Sequence, residues 1–170
     1  AMAFGRWLSG KTGRNFTLPT ESQWEYACRA GTATPMNYGG LDDDYGKLAN
    51  LADINVKQMR ALGWGLPHGA IPPWHPSDGK FDDGARVSAE VGRYKPNAWG
   101  LFDMHGNVCE WTLSDYRPYP YRDDDGRNSG SPTAAKAVRG GSWYDRPCRA
   151  RSSFRLGYLP QQGVYDVGFR

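Results

Sequence analysis

The clearest hydrophobic pattern in the chain predicts a helix over residues 19–31, PTESQWEYACRAG. Apolar side chains recur there at positions i, i+3 and i+4, which places them on one helical face: Trp24, Ala27 and Cys28. Thr20 can cap the first turn, with Gln23 completing a capping box, and Gly31 can end the helix. We therefore expect Cys28 to be a buried helical residue rather than a reactive thiol.

A second helical pattern lies at the start, in AMAFGRWLSG, where Phe4, Trp7 and Leu8 share a face and Gly10 or Gly13 can end the helix. This segment has neither the basic start nor the apolar stretch of a signal peptide, so we expect the chain to begin inside a domain. No run of 18 apolar residues occurs, and no membrane segment is expected.

Periodicity is weak over residues 32–92, where ordered loops are expected because aromatic side chains spread through them need burial: Tyr38, Tyr45, Trp64, Trp74 and Phe81. Beyond them, short segments between turn residues predict strands: RVSAEVG (86–92), GLFDM (100–104), NVCEWT (107–112), AVRGGSW (137–143), ARSSFRLGY (150–158) and DVGFR (166–170). The pattern favours an α+β fold with short helices and a small twisted antiparallel sheet.

Composition makes this expectation more specific. The chain has 170 residues, which is enough for one domain. Aromatic residues make up 14% of it, a share typical of a folded protein rather than a disordered one. Glycine (22) and proline (12) together leave little room for long regular elements. We therefore predict one loop-rich domain over residues 1–170.

Charge and cysteine content exclude several classes of function. The net charge of +3 is too small to indicate a polyanionic partner, and the arginine-rich end from Arg139 to Arg170 carries no nucleic-acid-binding motif, so ion pairs and loop carbonyls are its expected partners. The three cysteines form no CxxC pair, and one disulfide with one free thiol remains open. No GxSxG, phosphate-binding glycine loop, HExxH or GxGxxG element is present.

One candidate cation site lies in residues 100–111, GLFDMHGNVCEW. Asp103 and Glu110 place carboxylates at both ends of a glycine-containing turn, so the carbonyls between them can face a hard cation such as calcium. The alternative is that Asp103 only organises the turn and Glu110 pairs with an arginine. His105, inside the turn, is a candidate ligand-facing residue.

Weaker candidates lie in other loops. Asn50 and Asp83 can supply side-chain oxygens to a calcium ion, although the sequence gives no direct reason to join two such distant segments. His68 and His75, near Asp78, are the residue types of a facial iron site, with ordinary loop histidines as the alternative.

Three blocks taken together resemble one family. They are LPTESQWEYACRAGT (18–32), GRYKPNAWGLFDMHGNVCEWT (92–112), and VRGGSWYDRPCRARSSFR (138–155) with VGFR (167–170). In this order they resemble the formylglycine-generating enzymes, or sulfatase-modifying factors. The resemblance implies a C-type-lectin-like fold with little regular structure, and it implies that the family domain extends further at its N-terminus than this chain.

The resemblance also implies two calcium sites. The matching positions of the first are the side chains of Asn50 and Asp83 with the carbonyls of Leu51 and Ala85. Those of the second are the side chains of Asp103 and Glu110 with the carbonyls of Gly106 and Val108. Every side-chain ligand is an oxygen donor, as calcium requires.

The same resemblance argues against the family's chemistry. Formylglycine-generating enzymes oxidise a sulfatase cysteine with copper and dioxygen, using two thiolates in a CxxxxC arrangement. Counted from Ser142, these positions fall on Asp145 and Ala150, with Cys148 between them. One thiol cannot replace two sulfurs on Cu(I), so copper is not expected, and iron is expected only with a fused metal-binding domain, as in sulfoxide synthases of this family.

We therefore expect a calcium-stabilised domain that has diverged from cysteine oxidation and binds a protein, a peptide or a small molecule. The expected binding face surrounds Ser142 to Cys148 and includes four aromatic residues from loops: Trp64, Trp74, Tyr119 and Tyr121. The alternative for these four aromatic residues is that they belong to the core. The alternative is an oxidoreductase, either a formylglycine-generating enzyme or an iron-dependent oxygenase, that uses other residues in this same region (Ser142, Asp145, Cys148) or a fused domain. A sulfatase-like substrate remains one candidate partner.

Overall fold

A computed structural model describes residues 1–63, 65, 66, 69–72 and 74–170. The strongest sequence pattern forms helix α2 (Glu21–Arg29), where the side chain of Thr20 accepts a hydrogen bond from the N–H of Gln23 and the capping box is complete. The helix ends one residue earlier than predicted, at Ala30 in a left-handed conformation with φ 45°. Trp24 and Cys28 are buried as predicted, and their face packs on Met104.

Within the described ranges, three further helices accompany α2. Helix α1 (Met2–Thr12) ends at left-handed Gly13, the second of the two glycines that the sequence offered as its end, but it buries none of its residues. Helix α3 (Ile54–Ala61) lies in the region expected to be loop. It begins at Asp53, whose side chain accepts the N–H of Asn55, and it buries Val56 and Met59. Helix α4 (Pro147–Ala150) is a single turn.

The strands form two small sheets. Strands β1 (Gly65–Leu66) and β2 (Gly69–Ala70) pair with each other in antiparallel orientation. The larger sheet contains β3 (Cys109–Asp115), β4 (Lys136–Arg139), β5 (Leu156–Tyr158) and β6 (Val167–Gly168), in the order β5-β4-β3-β6. The pair β3–β6 is parallel, so this sheet is mixed and the prediction of an antiparallel sheet was wrong for that pair. The loop-rich α+β class is confirmed.

Two strand predictions fail. Residues 86–92 and 100–104 form turns and irregular backbone. In the second segment Asp103 has φ 55°, a left-handed conformation that a strand excludes. Two apolar residues of this segment serve packing instead, since Leu101 and Met104 pack against α2.

The core consists of clusters that tie the loops to the helices. One cluster joins the loop after α2 to α4 and contains Met36, Tyr45, Ala49, Leu51 and Ala150. Another packs α3 on the segment that follows β4 and contains Ala52, Val56, Met59, Ile71 and Trp143. These clusters hold residues 49–53 against residues 143–150, and both segments carry predicted site residues.

Within the described residues, no helix combines the length and the apolar character needed to cross a membrane.

Candidate metal and ligand sites

The first predicted calcium loop pair is brought together in the structure. The N–H of Leu51 donates to Asp83 Oδ2 at 2.8 Å, and the N–H of Ala85 donates to Asp83 Oδ1 at 2.8 Å. The side-chain amide of Asn50 donates to the carbonyl of Val87 at 2.8 Å, which leaves its Oδ1 to accept from another partner. Asn50 and Asp83 are both buried, so the two distant segments meet inside the protein.

Burial makes the ionised carboxylates of this first loop pair unfavourable. Burial, together with the charges of Asp53 and Asp82, raises the pKa of Asp83 to about 7, against the hydrogen bonds from the two backbone N–H groups. Burial raises the pKa of Asp53 as well. Asp53 is fully buried and its Oδ2 accepts the N–H of Asp83 at 2.8 Å. A divalent cation at this position would relieve the repulsion between the carboxylates.

A close backbone contact joins the two predicted calcium loops. Asn50 and Gly106 form an isolated parallel bridge, and the N–H of Asn107 donates to the carbonyl of Asn50 at 2.8 Å. Gly106 has φ 78°, and a Cβ there would lie 2.1 Å from the carbonyl oxygen of Asn50. Only glycine permits this approach, so the sequence of the second loop positions the first.

The second predicted site is partly neutralised by the protein itself. Asp103, Val108 and Glu110 line one cavity together with Arg170. The guanidinium of Arg170 donates from Nε to both carboxylate oxygens of Glu110, at 2.8 and 2.7 Å, and Trp24 Nε1 donates to Glu110 Oε2 at 2.6 Å. The arginine pairing considered from the sequence is therefore present.

Asp103 occupies the other end of this cavity. Its Oδ2 accepts the N–H of Gly92 at 2.8 Å, so it organises the turn. Its Oδ1 is buried and lacks a hydrogen-bond partner among the described residues. This free oxygen is what a cation would engage.

His105 faces the core, which corrects its prediction as a ligand-facing residue. The ring is 2% exposed. Its Nδ1 lies 2.7 Å from the carbonyl of Ala150, and its Nε2 accepts the N–H of Asn37 at 2.9 Å. Burial lowers the pKa of His105 to about 4, so the ring is neutral. Cys28 Sγ lies 3.5 Å from Nε2, and burial raises the pKa of this thiol to about 12.

The loop after β4 contains a second polar centre around Ser142. The serine hydroxyl lies 2.7 Å from Asp166 Oδ2 and 3.1 Å from Asp145 Oδ2. The thiol of Cys109 lies 3.7 Å from the same Asp145 oxygen, and Arg149 Nη1 pairs with Asp145 Oδ1 at 3.2 Å. Asp145 is thus part of a buried polar network.

The second position that matches a thiol of the resembled family is Ala150, which carries an apolar side chain. Ala150 is fully buried, and its Cα and Cβ lie so close to Gly141 that a Cβ on that glycine would meet them at 2.8 and 2.7 Å. Cys148 lies on α4 and is partly exposed; its carbonyl accepts a hydrogen bond from the guanidinium of Arg151. All three cysteines are free thiols, so no disulfide forms.

Aromatic rings surround the Ser142 loop, although they are not all the predicted ones. The ring of His75 stacks on Tyr144 with centroids 3.7 Å apart, and Tyr165 lies 6.2 Å from Tyr144. Trp74 precedes His75 and is 78% exposed, so it is surface rather than core. The predicted His68 and Trp64 lie outside the described residues.

The other two predicted aromatics belong to an arginine cluster elsewhere. Tyr119 lies 4.5 Å from the guanidinium of Arg155, and Tyr121 lies 4.4 Å from that of Arg127. Arg155 forms a bidentate ion pair with buried Glu21. The prediction that arginines serve internal ion pairs is confirmed here and at Glu110.

Sequence reasoning missed Asp166 and Cys109 as members of the Ser142 centre. Both are placed by the parallel pairing of β3 and β6, in which the N–H of Cys109 donates to the carbonyl of Asp166 at 2.9 Å. The only signal was the position of Asp166 directly before VGFR, and nothing local connects it to residue 109.

Comparison with known proteins places these features in a family. The sequence profile of the sulfatase-modifying factor enzyme 1-like domain matches residues 1–170. The formylglycine-generating enzyme of Mycobacterium tuberculosis is 31% identical over 185 residues, which cover 100% of this chain and 53% of that protein. The inactive C-alpha-formylglycine-generating enzyme 2 of Mus musculus is 30% identical over 163 residues, 92% of this chain and 42% of that protein.

A comparison with solved structures finds the same fold in a relative. The structure of PvdO from Pseudomonas aeruginosa superposes with a TM-score of 0.72 at 27% identity, over 98% of this chain and 56% of that one. The chain therefore spans about half the length of the relatives it matches.

Proposed function

Since the chain belongs to the sulfatase-modifying factor enzyme 1-like domain family, we propose that it is a calcium-stabilised member that binds a peptide or another ligand without oxidising cysteine. The observation that carries the proposal is the chemistry at the two family thiol positions. Asp145 is a carboxylate engaged by Ser142 and Arg149, and Ala150 is a buried methyl group. These residues do not fit Cu(I), which needs paired soft ligands.

The calcium part of the proposal rests on oxygen donors that have no better partner. Asp83 and the Oδ1 of Asn50 fit a calcium ion at the first site, with the carbonyls of Leu51 and Ala85 as the matching backbone ligands. At the second site the free Oδ1 of Asp103 fits, whereas Glu110 must be shared with Arg170. Bound calcium would supply structural stability in loops that bury carboxylates.

The ligand-binding part rests on what we define as the aromatic face: the segment 142–148 with Trp74, Tyr144 and Tyr165. Trp74 and Tyr165 are 78% and 42% exposed, and the partly buried carboxylate of Asp166 contacts the hydroxyl of Ser142. Large aromatic side chains beside charged groups are the residue types that dominate recognition surfaces.

A turnover assay tests the loss of oxidation. The protein is incubated with a CxPxR peptide, copper, calcium and a reductant, and mass spectrometry follows conversion of the peptide cysteine to formylglycine. The M. tuberculosis relative, under the same conditions, is the positive control. We expect no conversion by this chain. Conversion that disappears in Cys148→Ser would prove the lone thiol catalytic and refute the proposal.

A binding assay tests the aromatic face. A fluorescent version of that peptide, with serine in place of cysteine, is titrated with the protein in calcium buffer, and anisotropy is measured. We expect binding that weakens about tenfold or more in Trp74→Ala or Tyr165→Ala, as for a buried aromatic anchor. Tyr26→Ala is the matched control, since Tyr26 is 71% exposed on α2. Equal loss in all three variants would contradict a defined face.

A further inference from the structure

The geometry points to a third metal site, separate from the calcium loops: we propose that Cys109, Asp145 and Asp166 bind a divalent transition-metal ion of borderline softness, such as Zn²⁺. One potential ligand atom from each residue, a sulfur and two carboxylate oxygens, lies within 4.8 Å of the other two. Among the described residues, this is the one group of three such side chains that close together.

The distances suit a small ion. A tetrahedral Zn²⁺ with bonds of about 2.0–2.3 Å places its ligand atoms about 3.3–3.8 Å apart. Cys109 Sγ and Asp145 Oδ2 are 3.7 Å apart, within that range, and the three ligand atoms all lie within 4.8 Å of one another. The hydroxyl of Ser142 lies 2.7 and 3.1 Å from the two carboxylates and offers a fourth oxygen.

The backbone holds the three ligands in place before any ion binds. Cys109 opens β3 and pairs in register with Val167, directly after Asp166. The N–H of Asp145 donates to the carbonyl of Ser142 at 2.9 Å, and the N–H of Ser142 donates back to Asp145 Oδ2 at 3.1 Å. A site built on paired strands and a tight turn is preorganised, and little conformational entropy is lost on binding.

The charges of the cluster are not balanced within it. Asp145 is 5% exposed, and Asp166 is partly buried beside it. Arg149 compensates from outside, because it contacts Asp145 Oδ1 and its side chain is 46% exposed. The opposite oxygen, Oδ2, faces the thiol and the serine. Two carboxylates that converge on one hydroxyl in a buried place are costly, and a cation between them removes the repulsion.

A buried polar atom without a hydrogen-bond partner lies on a ring that packs next to the turn of Asp145. His75 is 9% exposed, and its Nδ1 has no hydrogen-bond partner in the described part of the chain. Its ring stacks on Tyr144, the residue that precedes Asp145. The side chain with this unpaired nitrogen therefore packs on the same turn that carries Asp145.

The mixed ligand set decides which ion is expected. The thiolate disfavours Ca²⁺ and Mg²⁺, which prefer oxygen, and a single sulfur disfavours Cu(I). One sulfur with two carboxylates and the hydroxyl of Ser142 nearby suits Zn²⁺, and Co²⁺ can report on the same geometry. Binding releases the thiol proton of Cys109 to solvent, because the thiolate is the ligand.

Cobalt titration tests the site directly. The protein is first stripped of metal with a chelator, the chelator is removed, and excess calcium is added so that the calcium loops are filled. Co²⁺ is then titrated in, and the thiolate-to-cobalt charge-transfer absorption is followed. We expect one equivalent of saturable absorption that Zn²⁺ displaces. Absence of this absorption in a protein that still shows a calcium-dependent melting temperature would overturn the metal site while leaving the proposed function intact.

Variants identify the ligands. Cys109→Ser should abolish the charge-transfer band, and Asp166→Asn should weaken Co²⁺ binding by about tenfold or more. Asp166 is partly exposed, so this variant keeps the test valid if Cys109→Ser does not fold. Cys148→Ser is the matched control and should bind as the unaltered protein does. A band that survives Cys109→Ser and is lost in Cys148→Ser would place the ion adventitiously on the surface thiol and refute the proposal.

Discussion

The two loops with calcium-like ligand sets differ in how their carboxylates are neutralised. In the first, Asp83 accepts only backbone N–H groups and lies next to the buried carboxylate of Asp53. In the second, Glu110 receives the guanidinium of Arg170 and the indole N–H of Trp24. Both loops have the right oxygen donors, yet among the residues that the structure describes only the first lacks a positive partner at its principal carboxylate.

This difference teaches that a ligand motif does not by itself set the need for an ion. A carboxylate paired with arginine is already stabilised, so calcium must compete with or share that pair. A buried carboxylate held by backbone dipoles and pushed by neighbouring charges gains much more from a cation. We therefore expect the first loop to account for most of the calcium-dependent stability.

The largest effect should come from Asp83→Asn. Calcium at about 100 times its dissociation constant stabilises a protein by about 2.7 kcal/mol, and most of this increment should disappear because the main charged ligand of the first loop is lost. The measurement is the melting temperature with calcium minus that with chelator, which stays meaningful even if the variant is less stable overall. Asp82→Asn, at the exposed neighbouring carboxylate, is the control and should keep the increment.

The next largest effect is expected for Arg170→Ala. Removing the guanidinium leaves buried Glu110 with Trp24 alone, which should cost about 2 kcal/mol in chelator, less than for a fully buried pair because Arg170 is a third exposed. Calcium should then restore more stability than it adds to the unaltered protein. Urea denaturation with and without calcium measures both. Arg122→Ala, at an exposed pair with Asp124, should change neither.

A smaller effect is expected in how the free energy of unfolding depends on pH, where the contribution of Asp83 has its own sign. In chelator, the folded state keeps the Asp83 proton up to about pH 7, whereas the unfolded carboxyl releases it near 3.8, so this residue lowers stability as pH rises between the two. Buried His105 has the opposite effect, since its depressed folded pKa of about 4 adds stability as pH rises toward 6.5.

The readout is therefore the stability of the unaltered protein minus that of Asp83→Asn, measured in chelator from about pH 5 to pH 7.5. We expect this difference to fall as pH rises in chelator, and to fall less steeply when calcium is present, because bound calcium favours the ionised carboxylate in the folded state. A flat difference in chelator would mean that the Asp83 carboxyl is not buried in the way described.

The smallest effect is expected for Asp103→Asn. Asparagine tolerates the left-handed backbone at φ 55° and can keep the hydrogen bond to the N–H of Gly92, so stability in chelator should change by about 0.5 kcal/mol or less. Calcium affinity of the second loop should nevertheless fall, because the free Oδ1 is replaced. Isothermal titration calorimetry checks this. A strong loss of stability without calcium would show that Oδ1 has a structural partner.

Much of the local structure was predictable. The capping box of Thr20, the apolar face of α2 and the stop at Gly13 follow from spacing and side-chain chemistry within a few residues. The family motifs also singled out the segment from Ser142 to Cys148 as the candidate binding segment. Helix α3 was missed because only Val56 and Met59 mark its buried face, amid polar residues in a loop-like region.

The sequence alone determined the family and its loop-rich α+β class, because several motifs occur in order and each depends on local chemistry. It also determined that two family thiols are absent. Only the tertiary structure decided that Arg170 neutralises Glu110, that Asp83 lies against Asp53, and that Asp166 meets Cys109. These contacts join residues far apart in the chain, and their energies depend on burial, which spacing along the sequence does not reveal.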